Sequence, residues 1–126
     1  DEEVAYVVSL LESFGAAIEL KEDLLDVSAT VGGCSPAYTY MFIEAMADAG
    51  VADGLTRQQA YYIAAQAVLG SAKMVLETGK HPGELKDQVT SPSGSTIVGV
   101  QSLEENAFRG TVIKALRAAV AKARTL

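Results

Sequence analysis

Six consecutive residues, Ser91-Pro92-Ser93-Gly94-Ser95-Thr96, are the part of this sequence best suited to binding chemistry. They form a small-residue turn running into a helical pattern of Ile97, Val100 and Leu103. The first amides of a helix have no intrahelical acceptor and carry the positive end of its dipole, so this bend can hold a carboxylate or a phosphate. Thr96 adds a hydroxyl that donates or accepts in the same cradle. An ordinary capping turn uses the same residue types, so both readings stay open at this point. Other chemistries lack their residues. One histidine, His81, and one cysteine, Cys34, lie far apart and make no zinc set. There is no G-x-S-x-G elbow, Walker sequence or G-x-G-x-x-G fingerprint. Cys34 reads as a small buried packing residue and His81 as a turn anchor.

The elements that must position this bend are helical. Val4, Val7, Val8, Leu11 and Phe14 form one stripe, stopped at Gly15. Ala17-Ile18-Glu19-Leu20 reads as a short strand that would need a sheet outside this chain to pair with. A helix is expected from Glu22 to Val31, broken by Gly32-Gly33. A second follows, with Ser35 as N-cap and Pro36 in its first turn, and ends at Gly50. Its Tyr38, Phe42, Ala45 and Ala49 face, widened by Met41 and Met46, reads as core. Thr56 and Gln59 match a capping box for a long helix closed by Gly79. That helix has only a thin polar stripe, Gln59, Gln66 and Lys73, so its other sides must be covered. The last helix uses Phe108, Val112, Ile113, Leu116 and Val120.

Composition narrows the classes. The 126 residues are 49% hydrophobic, which excludes disorder, and mean hydropathy is +0.20. So apolar a small domain is expected to cover part of its surface with a partner chain. Ten basic residues against sixteen acidic ones give a net charge of -6, without the cationic footprint of generic nucleic-acid binding. The longest charge-free stretch, Val27 to Ile43, is 17 residues long and carries Gly32, Gly33 and Pro36, so no bilayer span is expected. A lone cysteine suits a reducing cytoplasm. The opening Asp1-Glu2-Glu3 has neither Met nor a signal-peptide pattern and reads as the start of an excised piece.

The bend gains specificity from its surroundings. The run from His81 to Ile97, HPGELKDQVTSPSGSTI, closely resembles the signature of pyrroline-5-carboxylate reductases, roughly H-P-G/A-x-L-K/R-D-x-V-T/S-S-P-G/A-G-T/A-T-I. Leu103-Glu104 with Phe108-Arg109, Ser35-Pro36-Ala37-Tyr38, and Glu44-Ala45-Met46-Ala47-Asp48-Ala49-Gly50-Val51 match further family stretches, in order, from about Val4 to Leu126.

That resemblance implies an NADPH- or NADH-dependent reduction of 1-pyrroline-5-carboxylate to L-proline. It also implies an N-terminal Rossmann domain followed by an all-helical dimerisation domain. The expected fold is therefore all-α, an intertwined helical dimerisation domain with a residual short strand near the N-terminus. Residues 1–20 would be the tail of a dinucleotide-binding domain, and residues 21–126 the helical dimerisation and substrate-binding domain. The chain alone would be inactive. By the same resemblance, Ser95 and Thr96 hold the substrate carboxylate through backbone amides. The Thr96 hydroxyl is then the catalytic group, placed near the ring nitrogen. Glu22 contacts substrate, and Gln88 and Gly33 lie toward the cofactor. The partners implied are a second copy, assembled through the Thr56–Thr78 helix, and higher rings of such dimers. Three departures stand out. Gly32-Gly33-Cys34-Ser35 replaces S-G-S-G, Ser93 replaces Gly or Ala, and Asn106 stands where Gly is frequent. The rival reading is a non-catalytic paralogue that keeps only the helical interaction surface.

Overall fold

In a computed structural model the chain is described over residues 1–13 and 16–126. The expected Phe14 contact and Gly15 stop fall outside the described residues. The elements in order are α1 (Glu2–Glu12), a 3-10 turn (Glu22–Leu24), α2 (Leu25–Ala29), a π-helical segment (Thr30–Cys34), α3 (Ser35–Ala52), α4 (Arg57–Thr78), α5 (Pro82–Gln88), α6 (Ser95–Glu105) and α7 (Phe108–Ala123). Among the described residues all regular structure is helical. The strand expected at Ala17–Leu20 is not formed: residues 16–20 have no regular structure. An alternating apolar run becomes a strand only by pairing, and among the described residues none offers a ladder.

The break expected at Gly32-Gly33 is likewise absent. The backbone continues from α2 through the π-helical segment into α3. Pro36, near the start of α3, has no N–H to donate, and its ring crowds the carbonyl four residues back. One wide turn absorbs that conflict without ending the helix. Thr30, buried in this turn, donates its hydroxyl to Asp26 O at 2.8 Å. Ser35 therefore does not cap: the residue before α3 is Cys34, without a side-chain cap.

Helix α3 also runs past Gly50, to Ala52. Its stop is a Schellman motif, with Leu55 N bonded to Gly50 O, Gly54 N to Val51 O, and Gly54 at φ +110°. Gly50 is a packing position instead, since a Cβ there would sit 2.9 Å from Leu55 Cδ1. The α4 signals form as their residues dictate. Thr56 and Gln59 make the reciprocal capping box, and Gly79 closes the helix at φ 68°.

Helices α3 and α4 pack against each other through Ala47, Ala60 and Ala64, the buried apolar residues of the chain among those described. Helix α7 packs on α2 and the π-helical segment, and α6 on α7. Large side chains stay uncovered, Tyr62 at 72% and Leu76 at 83% exposure among them. The chain exposes 10001 Å², whereas a compact monomer of its mass exposes about 6,400 Å². A surplus of this size is what an intertwined subunit presents before its partner is added. The α3 face of Tyr38, Phe42 and Met46 is therefore not a core within one chain. It forms, with Val68, Ala72 and Phe108, the wall of an open apolar groove of about 690 Å³ between α3, α4 and α7.

Candidate functional site

Helix α5 begins with His81, whose Nδ1 accepts from Gly83 N at 2.9 Å, and Pro82 occupies the first turn. That nitrogen is committed as a cap acceptor, so His81 anchors the turn. Past α5, Thr90 Oγ1 donates to Lys86 O and Asp87 O, both at 3.0 Å, and closes the helix end. The chain then folds back over Ser91–Gly94, with Gly94 N bonded to Ser91 O at 3.1 Å. Pro92 followed by Ser93 at φ 61° is the type II arrangement, normally given to glycine at its third position. Ser93 thus carries the left-handed conformation with a side chain in place of glycine. Gly94 is extended (φ -79°, ψ 169°), and a Cβ there would lie 2.6 Å from Ser91 Oγ.

Helix α6 opens at Ser95, two residues before Ile97, the first apolar residue of its pattern. No side chain caps it. Among the described residues, the amides of Ser95, Thr96 and Ile97 donate to no group of this chain. Ser95 and Thr96 are exposed. Two adjacent residues, a hydroxyl and a set of open amides therefore share one solvent-facing helix start. Such an arrangement can hold a small anion without a counter-cation.

The remaining sequence-predicted residues are spread over the chain. Gln88 ends α5 and is exposed, on the same α5–α6 arm as the cradle. Glu22 opens the 3-10 turn and Gly33 lies in the π-helical segment, both exposed. A Cβ on Gly33 would meet nothing within 4 Å, so the face beside it is open. The 3-10 turn packs on α2 and the π-helical segment on α7, on which α6 also packs. Cys34 is exposed on the same segment, not buried. Among the described residues, no cluster of three His, Cys, Asp or Glu side chains could hold a metal ion, and no helix is long and apolar enough to cross a membrane.

Electrostatics away from the cradle are sparse. Arg57 pairs with Asp48 across the α3–α4 turn and lies 5.6 Å from the Tyr61 ring centroid. The hydrogen bond to Asp48 holds the guanidinium pKa above its usual value.

One feature of the arm escapes sequence patterning. Asn106, which stands where Gly is frequent, lies at φ -98° and donates Nδ2 to Ser102 O at 2.8 Å. The left-handed residue is its neighbour Ala107 (φ 57°, ψ 38°). Alanine gives no sequence signal for this region, whereas its neighbour asparagine tolerates it.

Residues 22–126 match the family described as pyrroline-5-carboxylate reductase dimerisation. The chain is 53% identical to the pyrroline-5-carboxylate reductase of Escherichia coli over 125 residues, 99% of this chain and 46% of that protein. It is 46% identical to the enzyme of Glycine max over 126 residues, again 46% of the relative. Among solved structures, the Plasmodium falciparum pyrroline carboxylate reductase with NADP bound superposes with a TM-score of 0.88 at 39% identity, over 99% of this chain and 50% of that one. The Coxiella burnetii pyrroline-5-carboxylate reductase does so with a TM-score of 0.94 at 35% identity, over 99% and 47%. The chain thus spans about half the length of the relatives it matches.

Proposed function

Because the chain belongs to the pyrroline-5-carboxylate reductase dimerisation family, we propose that it is the dimer-forming, substrate-holding part of an enzyme that reduces 1-pyrroline-5-carboxylate to L-proline. On this reading residues 21–126 are the helical domain, and residues 1–20 are the end of a dinucleotide-binding domain. The observation that carries the reading is the open, exposed amide set at Ser95 and Thr96. It suits the only permanent anion of the substrate, its carboxylate.

The amides of Ser95 and Thr96 hold the carboxylate and so fix the ring. The Thr96 hydroxyl then hydrogen-bonds the ring nitrogen and steadies the imine for reduction. Glu22 contacts the ring from another side. NADPH or NADH, when bound, supplies the hydride to the C=N carbon. In this reading Gln88 and Gly33 are the residues of this chain that approach it, and the open backbone face at Gly33 is consistent with that. Most of the cofactor contacts in this reading come from the dinucleotide-binding domain, in keeping with the lack of its fingerprint in these residues. NADP in the Plasmodium falciparum relative supports the cofactor class.

The chain works as a homodimer, and dimers assemble further into rings. Support comes from the surplus exposed surface and the open groove between α3, α4 and α7. The two chains interlock through α4, so each site draws residues from both copies. A stable dilute monomer in light scattering would overturn the assembly.

The test joins this chain to the half of the Escherichia coli relative that it does not match. It follows NADPH oxidation driven by pyrroline-5-carboxylate. Thr96→Ala and Thr96→Val should both lower turnover. Unchanged turnover in both removes the hydroxyl from the mechanism, and an inactive parent chimera favours a scaffold without catalysis.

A further inference from the structure

Helix α6 is bracketed by two non-glycine residues at positive φ, Ser93 (φ 61°) before it and Ala107 (φ 57°) after it. Among the described residues these are the two such positions. The helix between them buries none of its residues within the chain, so no core of this chain surrounds it. Its far end is fixed locally. Asn106 Nδ2 bonds Ser102 O at 2.8 Å, and Arg109 Nε lies 3.1 Å from Glu104 Oε1, closing a clasp across Ala107. Helix α7 begins at the next residue, Phe108, which rests against Phe42 of α3.

We propose that the left-handed conformation of Ala107 is a positioning joint, setting the angle at which α7 presents α6 and hence the carboxylate cradle at Ser95 and Thr96. The inference rests on the carboxylate reading of that cradle. Ordinary L residues reach this conformation only at a cost, and it persists where the surroundings over-determine it. Here Phe108 and the Glu104–Arg109 clasp do so from both sides. The lever is long: at 1.5 Å per residue, Ser95 lies about 15 Å from Glu105, and a turn of about 10° at the joint moves it by roughly 2.5 Å. A hydrogen bond tolerates only a few tenths of an ångström. Ala107 thus acts on the cradle without touching substrate.

The experiment titrates L-proline into the chain and follows the amide resonances of Ser95, Thr96 and Ile97, with melting temperature and far-ultraviolet circular dichroism measured alongside. Ala107→Gly, free to adopt the same φ, should keep the dissociation constant within about twofold. Ala107→Val, barred from it by its β-branch, should weaken binding at least about fivefold while helicity is retained. If the valine variant does not fold, Glu104→Gln opens the clasp alone and should weaken binding at least about twofold. A folded Ala107→Val with the parent's dissociation constant overturns the joint, whatever its melting temperature. Where that variant is unfolded, a parent-like Glu104→Gln does the same. A parent chain whose cradle amides ignore L-proline overturns the carboxylate reading, and the joint with it.

Discussion

The ring of Phe108 lies against that of Phe42, centroids 6.0 Å apart and planes at 42°, and so ties the first residue of α7 to the middle of α3. Both rings line the open groove between α3, α4 and α7 and remain part-exposed in the single chain. The contact holds α7, and on the proposed dimer it also offers an apolar floor to the second copy.

Removing that ring tests both. A tilted aromatic pair contributes about 0.5–1.5 kcal/mol beyond its area, and half-buried phenylalanine loses less than the full core penalty. Phe108→Ala should lower stability by about 1–3 kcal/mol. The check is a lower urea midpoint, together with a larger dimer dissociation constant by sedimentation. A lower midpoint with unchanged dimer affinity would restrict the ring to holding α7.

The cradle can lose one donor while its helix stays intact. Proline is at home in the first turn of a helix, and Gly94 is already extended as a residue before proline must be. Ser95→Pro therefore deletes one amide at little structural cost. A hydrogen bond to a charged group contributes about 1.5–3 kcal/mol, so the KM for pyrroline-5-carboxylate in the chimeric enzyme should rise about 10- to 100-fold. A parent-like KM would place the carboxylate elsewhere.

How much of this was legible depends on the range of the forces involved. The capping box of Thr56 and Gln59, the αL stop at Gly79 and the His81-Pro82 start are settled within one turn, so sequence spacing suffices for them. The Ser91–Thr96 bend was visible for the same reason. Other features depend on neighbours that local patterns do not encode. Gly32-Gly33 looks like a break, but Pro36 converts it into a π-helical turn of a continuing helix. Ala17–Leu20 alternates like a strand yet has no ladder to join. Asn106 has the propensity for positive φ, but it donates its side chain to Ser102 O and leaves the strained position to Ala107. The Tyr38–Phe42–Met46 face was read as core because apolarity does not say whose atoms cover it.

Ser93 sets two opposing effects against each other. Its left-handed φ of 61° costs about 1–2 kcal/mol for an L residue. Glycine relieves that cost but gives back about 0.4–1 kcal/mol through the freer unfolded chain. Ser93→Gly should therefore stabilise the fold by about 0.5–1 kcal/mol, read as a melting temperature higher by a few degrees. An unchanged or lower melting point would mean that the serine side chain offsets its own backbone strain.

Gly94 is where the cradle has no room to give. A Cβ would fall 2.6 Å from Ser91 Oγ and 3.3 Å from Ser91 O. The first contact is with a side-chain hydroxyl and can be removed; the second is with backbone and cannot. Gly94→Ala should cost about 1–3 kcal/mol by overpacking and raise KM in the chimeric enzyme, because relief of the clash displaces the amide of Ser95. The double variant Ser91→Ala/Gly94→Ala should recover part of the stability, giving a coupling of about 0.5–2 kcal/mol in a double-mutant cycle. Additive costs would show that the backbone contact alone resists the methyl group, and that the Ser91 hydroxyl has no part in shaping the turn.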